Sequence, residues 1–187
     1  MNVQQIEDAI VSALKTIPIQ SPNGASKTER TKAIKIAISE LGYKHNYFVC
    51  GDPRPGCDGA FLCDLSWYTS TPAPEGNLLE MPLALESEWH ASYKQIKYDF
   101  EKLLVAKSKF KVMVFQASGR NAANYFKQLE QGIRNYQGGS FGEIYLLEGV
   151  PKVILRFCDL LGEIMYFQVG SFFFAQAQFH LLGHQWC

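Results

Sequence analysis

The sequence predicts an α/β fold, a mixed central sheet flanked by helices, and three observations carry that expectation. Two amphipathic helical stripes open the chain before any strand signal. Strand-like runs and helical spacing then alternate through the middle. One run, "FKVMVFQ", is apolar on both faces, as a strand buried inside a parallel sheet would be. The 187 residues, 47% of them hydrophobic, suffice for one core and one domain over 1–187. No repeat, low-complexity tract or long linker divides the chain.

In "QQIEDAIVSALKTI", Ile6, Ile10, Ala13, Leu14 and Ile17 form one helical stripe, which Pro18 ends. After the turn "QSPNGA", the segment "SKTERTKAIKIAISELGY" opens with a capping box, Ser26 to Glu29, and is expected to close at Gly42. "NYFVCG" is a short strand. The loop "GDPRPGCDG" leads into "AFLCDLSWYTS", a strand whose one charge is Asp64, and "TPAPEGN" connects it to "LLEMPLALESEW". Helical spacing returns in "ASYKQIKYDFEKLLVAK", through Tyr93, Ile96, Phe100, Leu103 and Leu104, and again in "NAANYFKQLEQGIRNY". "GEIYLLEGV", "PKVILRFCD" and "GEIMYFQVGSFFFAQAQF" are strands, the last two pairing across "DLLGE". The predicted order is α-α-β-β-β-α-β-α-β with extra C-terminal strands.

Eighteen basic residues cancel eighteen acidic ones, so the chain lacks the global field of a non-specific nucleic-acid binder. Nucleic acid as a partner would need a local basic patch, and the lysine-dense stretch Lys94, Lys97, Lys102, Lys107, Lys109 and Lys111 is the candidate. No uncharged apolar run reaches the ~18–20 residues of a membrane span. The N-terminus has Glu7 and Asp8 and no basic segment of the signal-peptide kind. Five cysteines in no framework spacing read as reduced thiols. These features predict a cytoplasmic protein without a membrane partner. "HLLGHQWC" sets His180, His184 and Cys187 at metal-like spacing but lacks the paired cysteines of structural zinc. The uncharged, β-prone "FFFAQAQF" predicts a homodimer or larger assembly.

The stretch "PLALESEWH" carries the chemistry. Side chains alternate along a strand, so Glu86 and Glu88 share a face, and Asp64 shares a face with Leu62 and Ser66. A hairpin between the two strands would bring the three carboxylates together. Such a cluster raises its own pKa values unless a cation sits within it. Mg²⁺ suits it, since Mg²⁺ takes oxygen ligands and is usually held by one or two carboxylates. The competing reading puts both glutamates on the solvent face of an edge strand, where charge discourages aggregation.

The helix-strand-strand-strand-helix-strand order, with Asp64 followed by Glu86-Ser87-Glu88, resembles the PD-(D/E)XK restriction-endonuclease-like superfamily over roughly residues 26–148. The resemblance implies that Asp64 and Glu86 bind Mg²⁺ or Mn²⁺. Glu88 stands where the family has lysine, an arrangement some restriction enzymes share, and Cys63 stands where proline usually precedes the first acid. On this reading Glu88 orients or deprotonates the attacking water, and Lys97, at the edge of the next helix's apolar stripe, is the candidate substitute lysine. Two functions follow as expectations. One is a Mg²⁺-dependent nuclease or nuclease-like DNA-processing protein. The other is a non-catalytic protein of the same fold, acting in binding, regulation or assembly with a protein partner.

Overall fold

The computed structural model describes residues 2–17, 26–90, 92–116, 122–139, 143–150, 153–158 and 164–168. Helix α1 (Val3–Thr16) starts at Asn2, whose side chain accepts the Gln4 N–H. Helix α2 (Lys27–Lys44) starts at the expected box, Ser26 Oγ accepting from Glu29 N and Glu29 Oε2 from Ser26 N.

The helix does not close at Gly42. It runs to Lys44 with His45 as its C-cap, and Asn46 takes the left-handed conformation at φ 61°. Gly42 is buried instead against the sheet, where a Cβ would stand 2.6 Å from Trp67 Nε1. That close approach lets the Trp67 indole donate to the Ile38 carbonyl at 3.0 Å.

Seven strands lie side by side in chain order: β1 (Phe48–Cys50), β2 (Leu65–Ser70), β3 (Leu78–Glu88), β4 (Phe110–Gln116), β5 (Ile144–Val150), β6 (Val153–Cys158) and β7 (Ile164–Gln168). The first three form an antiparallel meander, and β6 and β7 continue β5 in antiparallel fashion. The β3–β4 and β4–β5 pairs are parallel, and each needs a crossover. Helices α3 (Tyr93–Val105) and α4 (Ala122–Asn135) supply them. The α/β class, the mixed sheet and the element order follow the expectation.

Strand alternation sorts the core into two layers. Leu65, Trp67, Leu83, Leu85, Val112, Val114 and Leu146 pack under α1 and α2. Ala84, Met113, Phe115, Tyr145 and Leu147 pack under α3 and α4. No helix among the described residues is long and apolar enough to cross a membrane. The run "FFFAQAQF", on which the expected homodimer rested, and His180, His184 and Cys187 lie outside the described residues.

The strand expected over "AFLCDLSWYTS" forms only from Leu65. Leu62 stands at φ 63°, and Cys63 N donates to the Phe61 carbonyl at 2.7 Å. The resulting tight turn breaks the alternation just before the strand. Cys63, expected on the face of Leu65 and Trp67, goes instead into the layer beneath α3.

Candidate functional site

On β3, Leu83 and Leu85 point to the α1/α2 layer, so Ala84 and Glu86 point to the other. Glu86 pairs in register with Met113 and is only 1% exposed. Its pKa is raised from 4.5 to about 7, chiefly by burial and then by the nearby charges of Asp64 and Asp99, with Lys102 opposing. Lys102 Nζ lies 2.8 Å from Glu86 Oε1 and also 2.8 Å from Asp99 Oδ1. The ammonium thus bridges the two carboxylates. Burial works against the Lys102 ammonium, but Asp99 and Glu86 outweigh it and raise its pKa. Lys102 therefore stays protonated while Glu86 exchanges a proton near neutrality.

Cys63 lies beside this pair. Burial first, and then the charge and hydrogen bonding of Glu86, push its thiol up to about 12. Asp64 sits in the bend one residue before β2 rather than inside the strand. Its Oδ2 accepts from both the backbone N–H and the hydroxyl of Ser87, each at 2.8 Å. Gly51 holds the bend in place at φ 88°, its missing side chain leaving room for the Asp64 carbonyl. Ser87 Oγ lies 3.1 Å from Thr31 Oγ1, which accepts from Trp89 Nε1 at 2.8 Å. Asp64 is thus tied through Ser87 to α2, yet remains within electrostatic reach of Glu86.

Two expectations are corrected. Glu88 does not join Asp64 and Glu86. Its Oε1 accepts the His90 N–H at 2.7 Å at the strand end, and no group of three or more His, Cys, Asp or Glu side chains among the described residues is placed to hold a metal. Asp64 would share a face with the glutamates only as a strand residue, and the Leu62 turn takes it out of the strand. Lys97 does not reach the carboxylates but pairs with Glu101 one turn along its own helix. Lys102 is the lysine at Glu86. A helical side chain leans toward the N-terminus of its helix, which carries Lys102 back over Asp99 and toward the end of β3. The spacing Asp99-x-x-Lys102 was the sequence signal for this placement; Cys63, Ser87 and Thr31 had none.

The lysine-dense stretch is not a free basic face. Lys97 and Lys102 are ion-paired, and the buried Lys111 pairs with Glu143 at 2.7 Å and meets the Tyr145 hydroxyl at 3.2 Å. The donor set still fits Mg²⁺ or Mn²⁺. Asp64 Oδ1 has no protein hydrogen bond among the described residues, and Glu86 Oε1 meets the Lys102 ammonium at 2.8 Å. Two carboxylate oxygens with water and substrate are the usual Mg²⁺ arrangement. Comparison with protein-family models, curated proteins and solved structures finds no match.

Proposed function

We propose that the chain is a Mg²⁺-dependent nuclease, hydrolysing phosphodiester bonds of DNA at the C-terminal end of β3. The observation that carries this reading is the buried Glu86 paired with the half-buried Lys102, with Asp64 in the bend just before the neighbouring strand. The order α2-β1-β2-β3-α3-β4 supports it, because the resemblance to the restriction-endonuclease-like superfamily rests on that order.

Asp64 and Glu86 would hold the metal. Mg²⁺, when bound, supplies a Lewis acid that offsets negative charge developing on the phosphate. Ser87 orients Asp64 by fixing Oδ2, which leaves Oδ1 for that purpose. Lys102 brings a protonated ammonium to the phosphate oxygens, the part a lysine two residues after Glu86 would otherwise play. Asp99 holds that ammonium in place when Glu86 turns to the metal. Glu88, engaged at His90, stands outside this group.

A second reading has its own observation. Lys102 Nζ already neutralises Glu86 at 2.8 Å, as it would in a purely structural ion pair of a non-catalytic protein. Calorimetric titration of Mg²⁺ and Mn²⁺ into wild type and Asp64→Ala, together with DNA nicking assays, separates the two. The nuclease reading expects metal binding lost in Asp64→Ala, and cleavage stopped by EDTA, Glu86→Ala and Lys102→Ala but retained in Lys97→Ala. Cleavage surviving Glu86→Ala, or no cleavage of any DNA despite metal binding, would overturn it.

A further inference from the structure

Among the described residues, five arginine and lysine side chains are neutralised by carboxylates: Lys102 by Glu86 and Asp99, Lys97 by Glu101, Lys111 by Glu143, Arg54 by Asp52, and Arg134 by Glu130. Arg30 differs. Its guanidinium carbon stands 5.3 Å from the ring centroid of Trp89. Its backbone N–H donates to the Ser26 carbonyl, but no hydrogen bond or ion pair joins its guanidinium to a described residue, and Nε is buried without a partner. Trp89 is itself fixed, its Nε1 donating to Thr31, the residue after Arg30. Thr31 in turn meets Ser87, which holds Asp64. Arg30 therefore lies on the network that supports the first carboxylate, oriented by an aromatic face and with its charge uncompensated.

We propose that Arg30, stacked on Trp89, is a phosphate-binding site that seats the nucleic-acid backbone beside Asp64. This rests on the nuclease reading for its substrate. A guanidinium presents a planar fork of donors that matches a phosphate, and contact with an indole holds that plane in one orientation. A flexible surface lysine would offer neither the plane nor the fixed direction. In a chain of zero net charge, a cation with no carboxylate partner among the described residues also adds a local attraction that the whole molecule lacks.

The test is binding of a fluorescein-labelled DNA duplex to the full chain, by anisotropy, in EDTA over a series of salt concentrations. Wild type, Arg30→Gln and Arg30→Met are compared, the last keeping an apolar chain on the indole should the first fail to fold. Each neutral variant should bind more weakly and lower the slope of log affinity against log salt by about one, the loss of one phosphate contact. Arg30→Lys should keep the slope and lose affinity, because charge remains and the fork does not. An unchanged slope in the neutral variants, or no binding by wild type at the lowest salt, overturns the proposal. Cleavage in Mg²⁺ with an unchanged slope leaves the nuclease reading standing without Arg30. A reduced slope with no cleavage under any metal does the reverse.

Discussion

Glu86 is a carboxylate that the fold makes reluctant to ionise. Its pKa rises from 4.5 to about 7, so the folded state holds a proton that the unfolded chain has already released. The stability associated with this proton is fully present below about pH 4.5 and is lost as pH rises through about 7. Over that window the loss is on the order of 3 kcal/mol. Glu86→Gln cannot titrate, so its stability relative to wild type should grow by about that amount between about pH 4 and about pH 8. Urea unfolding of both proteins across the range checks this, and parallel pH curves would contradict it. On the proposed nuclease reading the same proton would compete with a metal. Cleavage should therefore rise with pH toward about 7, with a midpoint that moves lower as Mg²⁺ increases. Cys63 gives a separate check. With its thiol near 12, it should resist iodoacetamide at about pH 8 under native conditions while the exposed Cys57 reacts, as mass spectrometry of the labelled peptides would show. Equal labelling of the two would mean that Cys63 is not packed under α3.

Among the elements, α2 is positioned by a residue that lacks a side chain. Gly42→Ala would gain about 1 kcal/mol of helix propensity. The new methyl would meet Trp67 Nε1 at 2.6 Å and Val49 Cγ2 at 2.8 Å, and overpacking of this kind costs about 1–3 kcal/mol. The indole is fully buried and already committed to the Ile38 carbonyl, so it cannot turn aside and the cost prevails. A lower urea midpoint for Gly42→Ala is the expected result, and a raised one would show that the helix can shift. The sequence made Gly42 look like a stop signal because a glycine after an apolar stripe usually is one. What it could not reveal is a tryptophan some 25 positions later in the chain that needs the space. The helices, strands and their order were legible because each rests on local periodicity. Glu86 was legible as an acid inside an apolar strand. Lys102 and the turn at Leu62 were not, since one depends on how α3 seats on the sheet and the other on a single backbone angle.

At the scale of the whole molecule, the sheet is protected unequally. β3 and β4 have neighbours on both sides and helices on both faces, whereas β1 is a three-residue edge strand. Native-state hydrogen exchange should find the slowest amides at Leu83–Leu85 and Val112–Val114 and faster exchange in Phe48–Cys50. Uniform protection across β1 to β4 would indicate that the edge is covered. Glu86 thus stands on the best-anchored strand, while its cation comes from the crossover helix that packs on it. Acid and cation belong to two different elements, a strand and the helix packed on it. A displacement of α3 along the sheet would part Lys102 from Glu86, since the two partners sit on different elements. The state of the charge pair is therefore a gauge of how α3 seats on the sheet, readable from Glu86's proton.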